Sequence, residues 1–336
     1  MTRTVRLALL ALAAVLALTA CSDGSSAGGT DGDGTREAAI VLDWFPNADH
    51  AGLYTAIEDG HLAAEGVALS PEVPSDPAAA LKQVGTGRVP FAVSYEPEVL
   101  LARSQGVPVV AVASLIGTPL NSVIVRADRD VARPRDLEGH TVGIAGLPSD
   151  EPLLDTVVAA DGGDPAKVAT RSVGFNLSPA LAAGRVDALV GAYWNIEAPE
   201  LERRGVPVEV FRLDEYGVPS YDELVLETSD ELAADDPELV AAVVRGLAAG
   251  TAAAAEDPDA AAGHVVAANP DLEPEVVVEQ TRLTAPLLGT GDGRSVALDP
   301  AAWAEYAAWM RSEGLLTERL DPAETVTTDF LPGGGG

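Results

Sequence analysis

Five segments of the chain gather side chains that stack, pair and accept hydrogen bonds, and none of the five carries a lysine or an arginine. They are Asp43 to His50, Tyr95 to Glu98, Thr118 to Ser122, Gly146 to Glu151 and Tyr193 to Glu197. They hold the aromatics Trp44, Phe45, Tyr95, Tyr193 and Trp194, the amides Asn47, Asn121 and Asn195, the imidazole of His50, and seven acids, Asp43, Asp49, Glu96, Glu98, Asp150, Glu151 and Glu197. A site for nitrate, sulfonate or phosphate normally draws on a guanidinium, an ammonium or a helix N-terminus. The glycine-rich phosphate fingerprints are absent as well. These residue types point instead to a neutral or cationic ligand with a flat ring. Aromatic faces stack on a planar base, at about 1–3 kcal/mol per contact. An asparagine pairs with an adjacent donor and acceptor. A carboxylate accepts from an exocyclic amine in a charge-assisted bond.

The candidate ligand-binding set is Trp44, Asn47, His50, Tyr95, Glu96, Asn121, Asp150, Tyr193, Trp194, Asn195 and Glu197. Glu197 leads it, as an acid following aromatics at a strand end. It is expected to accept from a ring amine while Trp44 and one of Tyr193 and Trp194 cover the two ring faces. Several of these side chains have a plainer use. Trp44 serves either site or core, Asp43 either fixes its loop or touches ligand, and His50 either touches ligand or donates to a nearby carbonyl. Tyr54 reads as helix packing, and Trp303, Tyr306 and Trp309, at helical spacing, read as core. His61, His140 and His264 are scattered without metal-ligand spacing, so no metal is expected; no cofactor and no catalytic residue is expected either.

Strand and helix alternate along the chain in a way that places all five segments at strand ends. Ala38 to Leu42 is a continuous apolar run, as for a buried parallel strand. A helix from Asp49 to Asp59 follows, with Asp49 as N-cap and Gly60 as stop. Further strands are expected at Val67–Val73, Phe91–Ser94, Val107–Ile116, Thr141–Ala145, Val168–Val173, Asp187–Tyr193 and Val206–Leu213. This alternation predicts parallel sheets with covered faces. One phrase occurs twice: ALKQVGTGRVPFAVSY at 80–95 and ALAAGRVDALVGAY at 180–193. Two similar units imply two similar lobes with ligand groups beyond the carboxyl ends of the strands. The expected division is lobe one at 37–124, lobe two at 125–223 and a helical return to lobe one at 224–330. Crossings near Val123–Val125 and Leu224–Leu226 would form the hinge. The return segment carries four helices with proline at or near their starts: Pro237–Glu256, Pro258–Ala268, Pro274–Leu288 and Pro300–Glu313.

The first 20 residues read as a secretory signal, with Arg3 and Arg6 before a short apolar run from Leu7 to Leu18. Leu18-Thr19-Ala20-Cys21 resembles a bacterial lipobox, making Cys21 the lipidation site. The stretch up to residue 36 is a Gly, Ser and Asp-rich tether. Cys21 is the only cysteine, so the fold rests on its core rather than on a disulfide. Roughly 300 residues remain, which suits two lobes. With 52 acids against 21 bases and a net charge of −31, the chain repels nucleic acid, which needs clustered bases. The expected location is the outer face of the cell membrane.

The segment Leu42 to Tyr54, LDWFPNADHAGLY, resembles the opening motif of the NMT1/THI5-like family. Ser94-Tyr95-Glu96-Pro97-Glu98-Val99, Pro148-Ser149-Asp150-Glu151 and Gly191-Ala192-Tyr193-Trp194-Asn195-Ile196-Glu197 are similar to that family too, and the match spans about residues 38 to 315. The resemblance implies an α/β, two-lobe, periplasmic-binding-protein-like (type II) fold with a central cleft and a two-strand hinge. It implies work with an ABC permease and ATPase, and capture of a thiamine pyrimidine precursor of the hydroxymethylpyrimidine or formylaminopyrimidine type. Another flat heterocycle, flavin or nucleobase-like, or a sensory lipoprotein of the same fold, stands as the alternative. The family also has an enzyme branch that builds the pyrimidine from its own histidine and pyridoxal phosphate. That branch uses a cysteine-rich motif missing from this chain, and its donor histidine aligns with Glu98. Neither Lys82 nor Lys167 lies in the site segments to serve as a Schiff-base lysine. A binding protein is therefore expected, not an enzyme.

Overall fold

The computed structural model describes residues 34–288 and 296–333. The expected signal, Cys21 and nearly all of the tether lie outside the described residues, as do 334–336 of the glycine tail. Among the described residues, ten strands form two five-stranded sheets. The first contains β1 (Arg36–Val41), β2 (Val67–Glu72), β3 (Phe91–Ser94), β4 (Val109–Ile116) and, from far down the chain, β10 (Leu224–Ser229). The second contains β5 (Asn121–Arg126), β6 (Thr141–Ile144), β7 (Ala169–Ser172), β8 (Ala188–Tyr193) and β9 (Val208–Arg212). Their orders are β2-β1-β3-β10-β4 and β7-β6-β8-β5-β9, the same pattern built twice. The repeated phrase occupies equivalent places, ending at β3 and β8.

Sequence chemistry explains which strands sit where. All eight residues of β4 are buried, as its unbroken apolar run requires in a strand covered on both faces. Edge strand β2 alternates buried and exposed, and edge strand β7, Ala-Thr-Arg-Ser, is exposed throughout.

The sheets are mixed, not parallel as the alternation suggested. β10 runs antiparallel to β3 and β4, and β5 runs antiparallel to β8 and β9. These two strands are the ones the chain enters from the other lobe. Neither closes a βαβ unit, so the rule that makes such units parallel does not reach them. The crossings are displaced for the same reason. Val123–Val125 lies inside β5, paired with β8 and β9, and Leu224–Leu226 lies inside β10. The chain crosses at residues 117–120 and 216–223, so the second lobe starts with Asn121 rather than with residue 125.

The helices of the return segment carry their start signals in the sequence. Pro237–Glu256, Pro258–Ala268 and Pro300–Ser312 each follow an aspartate, Asp236, Asp257 or Asp299, whose side chain accepts from a first-turn N–H. Pro274–Thr284 ends four residues short of expectation and gives way to a 3-10 turn at Ala285–Leu287. The helix Ala51–Glu58, which leads out of the site loop, packs on Pro237–Glu256 at very short range. A methyl group added at Gly250 would lie 2.4–2.5 Å from Ala56, backbone included, so only glycine permits this approach. Trp303 and Tyr306 are core, as expected.

Candidate functional site

The loop after β1 is built by its own side chains. The Asn47 amide oxygen accepts the Asp49 N–H (2.8 Å), and His50 Nδ1 accepts the Asn47 N–H (3.2 Å). The turn Ala48–His50 is thus capped by Asn47, not by Asp49 as the sequence suggested, and the helix proper begins at Ala51. With Nδ1 accepting, the His50 proton lies on Nε2, which donates to Asp43 Oδ1 at 2.7 Å. The other Asp43 oxygen accepts from the Tyr95 hydroxyl at 2.8 Å. Asp43 therefore ties its loop to the end of β3, and it also lines the cleft between the lobes.

Opposite, Asn121 Oδ1 accepts the Gly191 N–H (2.9 Å), joining β5 to β8. Glu197 Oε2 accepts the Tyr193 N–H (2.7 Å) at the turn between β8 and the helix Glu197–Arg203. Asp150 Oδ2 accepts the Gly146 and Leu147 N–H groups (2.7 and 2.9 Å) and shapes the loop after β6. At the crossings, Glu223 Oε2 accepts from Leu120 N–H (2.7 Å), Asn121 N–H (2.9 Å) and the Tyr221 hydroxyl (3.0 Å). One carboxyl thereby holds both crossing segments together.

The lobes touch through buried polar pairs. Asn195 Nδ2 donates to Asp49 Oδ1 (2.7 Å) and to Thr284 Oγ1 (2.8 Å). Gln280 Nε2 donates to the Ile196 carbonyl (2.8 Å), and the Ser149 N–H donates to Glu98 Oε1 (3.1 Å). Trp44 meets Phe175 edge-on at 4.6 Å.

The cleft thus brings together Trp44, Asn47, Tyr95, Asn121, Tyr193 and Glu197 of the expected set. The other five stand elsewhere. His50 backs Asp43, Asp150 holds its own loop, and the Asn195 amide nitrogen is taken by Asp49 and Thr284. Glu96 accepts the Asp222 N–H at 2.7 Å. Trp194 does not line the cleft; the Arg212 guanidinium lies over its ring at 5.1 Å, so Tyr193 is the aromatic on that wall. Sequence reasoning missed Tyr221 and Glu223. Their signal was present, since Tyr221-Asp222-Glu223 repeats the aromatic-then-acid pattern of Tyr95-Glu96.

No lysine or arginine lines the inner cleft. Its free space is about 30 Å³, so a ring must part the walls to lie there. Past Trp44, Asn47, Ile196 and Glu197 it continues into an outer chamber of about 330 Å³. That chamber has Arg203 and Arg204 in its wall, each held by acids: Arg203 by Glu275 and Glu279, Arg204 by Glu200. On the other side, Asp43, Tyr95 and Leu147 border a mostly apolar chamber of about 200 Å³. Lys82, expected away from the site, is an exposed part of that chamber's wall, together with buried Glu98. Among the described residues no group of three His, Cys, Asp or Glu is placed to hold a metal ion.

Burial sets the charge state of the acids. It raises Asp49, Glu98 and Glu223 to about 7 and Asp150 to about 6, against the bonds that lower them. Glu197 is raised to about 8, with Glu200 and Asp49 adding to burial and the Tyr193 N–H opposing it.

The twice-built mixed sheet with a cleft at the crossings defines a protein of the periplasmic-binding-protein fold. The alkanesulfonate-binding protein of Xanthomonas axonopodis pv. citri superposes with a TM-score of 0.70, covering 87% of this chain and 98% of that one, at 17% identity. A profile described as NMT1/THI5 like matches residues 47–261, and the chain belongs to that family. It is 37% identical to the formylaminopyrimidine-binding protein of Halalkalibacterium halodurans, over 91% of this chain and 93% of that one. It is 29% identical to a riboflavin-binding protein of Chloroflexus aurantiacus, over 89% and 87%. More distant relatives include pyrimidine phosphate synthases.

The raised acids give the fold a pH dependence of definite sign. In the unfolded chain these groups ionise near 3.8–4.5, so the folded state binds more protons in between. The stability they contribute is full below about pH 4 and is lost as pH rises through 6 to 8. Thermal unfolding of the ligand-free protein at constant ionic strength should show a melting temperature that falls steadily from pH 5 to pH 8.5. A rise over that window would contradict these charge states.

Proposed function

We propose that this chain is the substrate-binding lipoprotein of an ABC importer and that it captures a thiamine pyrimidine precursor of the hydroxymethylpyrimidine or formylaminopyrimidine type. The observation that carries the proposal is the inner cleft itself: Trp44, Tyr95 and Tyr193 beside the carboxyls of Asp43, Glu197 and Glu223, with no base in the lining. Such a lining suits a flat ring bearing amines and repels an anion. The 37% identity to a formylaminopyrimidine-binding protein supports that ligand class. The likeness to a riboflavin-binding protein keeps a flavin as the second reading. The work is capture between lobes, closure about the crossings and delivery to a membrane permease, without covalent chemistry. The anchor is a lipid at Cys21, outside the cytoplasm.

Titration calorimetry tests the ligand. The unphosphorylated 4-amino-5-hydroxymethyl-2-methylpyrimidine or its formylaminomethyl analogue should bind, with its phosphate ester, taurine and nitrate at least about 30-fold weaker, since an unpaired anion would meet buried carboxyls. Tight binding of the phosphate ester refutes the proposal, and tighter binding of riboflavin moves it to the second reading. Cell fractionation tests the anchor: Cys21→Ser should shift the folded protein from the membrane to the soluble fraction. One acyl chain holds a protein only marginally, so firm retention implies more than one. A Ser variant that stays fully membrane-bound would exclude lipidation at Cys21 as the anchor.

A further inference from the structure

Glu197 lines both the inner cleft and the outer chamber. It is 8% exposed, and its Oε2 already accepts the Tyr193 N–H. The titratable groups around it are acids, the tyrosines Tyr95, Tyr193 and Tyr221 of the inner cleft, and Arg203, Arg204, Asp271 and Glu273 of the outer chamber. Asp43 and Glu223 share the inner cleft with it. Asp49 in the turn Ala48–His50 and Glu200 on its own helix both add negative charge nearby. The His50 imidazole is committed to Asp43. Arg203 and Arg204 are held by Glu275, Glu279 and Glu200, and the facing helix Pro274–Thr284 spends its Gln280 amide on the Ile196 carbonyl. A Glu197 carboxylate would have no free cation to compensate it. Burial accordingly favours the acid form at neutral pH.

The edge of an aminopyrimidine pairs an acceptor, the ring nitrogen, with a donor, the exocyclic amine. A carboxylate offers acceptors only and leaves the ring nitrogen facing a lone pair, whereas a carboxylic acid offers both functions. We propose that Glu197 recognises the ring as the neutral carboxylic acid. Its Oε1–H donates to the ring nitrogen, while Oε2, still accepting the Tyr193 N–H, accepts from the exocyclic amine. The Glu197–ring pair holds one proton, and no net charge is created in the cleft. A buried acid kept neutral so that it can donate is established chemistry in other proteins. This inference rests on the aminopyrimidine reading above. It narrows the ligand to rings with a free ring nitrogen beside an amine, and makes binding above neutrality draw a proton from solvent.

The test is titration calorimetry of 4-amino-5-hydroxymethyl-2-methylpyrimidine into the wild type and Glu197→Gln, at pH 6.5, 7.5 and 9, in buffers of different ionisation enthalpy. Wild-type affinity should be level from 6.5 to 7.5 and about tenfold weaker at pH 9, with about one proton taken up per ligand there. Glutamine carries a permanent N–H donor and carbonyl acceptor, so the variant should show no pH dependence. Its affinity relative to the wild type should then rise about tenfold between pH 7.5 and pH 9. A level wild-type profile without proton uptake, or an unchanged ratio between the two proteins, overturns the inference while ligand binding, and with it the functional reading, stands. Absence of pyrimidine binding by the wild type at every pH overturns both. Should the variant not fold, the wild-type proton count alone decides.

Discussion

Carboxyl groups buried at the junction of two lobes, with no cation in the inner cleft, are the constraint on which the rest of this structure depends. Asp43, Asp49, Glu98, Glu197 and Glu223 are all buried there. Each has been taken from water, and each is held by N–H or O–H donors supplied by a different element. Glu223 joins the two crossings, Asp43 joins the first site loop to β3, and Asp49 and Glu98 reach the other lobe. Hydrogen bonds to such groups contribute about 1.5–3 kcal/mol each, and a buried one left unmade costs about as much. The crossings and the first site loop are therefore fixed by acids that line the cleft, Glu223 and Asp43, and the lobe contacts by the buried acids Asp49 and Glu98.

This sharing gives a physical route from ligand to closure. Tyr193, Asn195 and Glu197 fall within five consecutive residues, yet one lines the cleft, one bonds to the other lobe and one does work at the cleft and its outer chamber. On the proposed reading, a ring pressing on Tyr193 and Glu197 would act on the segment whose Asn195 bonds to Asp49 and Thr284. The flat walls would then supply stacking and the amides and acids register, so affinity and closure would draw on one short stretch of chain. The outer arginines do not alter the sign of the cleft, because acids of the same chambers or of the neighbouring helix hold them.

Much of this was legible in the sequence, for reasons that differ by residue. The Asp-Pro starts of Pro237–Glu256 and Pro258–Ala268 are local signals, and the helices run where those signals place them. The repeated Gly-Arg-Val turn marked β3 and β8 because the two lobes share one pattern. Glu197 and Tyr193, singled out as an acid and an aromatic at a strand end, both line the cleft. What failed was long-range. Asn195 and Asp49 read as ligand groups or caps because their partners stand 146 residues apart. Trp194 read as a cleft aromatic because a pair of adjacent aromatics does not reveal which faces inward, and Arg212 decided it. Both crossings were misplaced because β5 and β10 were read as connections, and only pairing shows that each is a strand of a sheet.

The central claim is that a base-free, acid-lined cleft selects an uncharged or cationic aminopyrimidine. Native mass spectrometry of the protein purified from its own cells without refolding, followed by identification of whatever small molecule is released, tests it most directly. One molecule per chain is expected, with the mass and fragmentation of an unphosphorylated aminopyrimidine. Release of a sulfonate, a phosphate ester or another anion in that stoichiometry would contradict it.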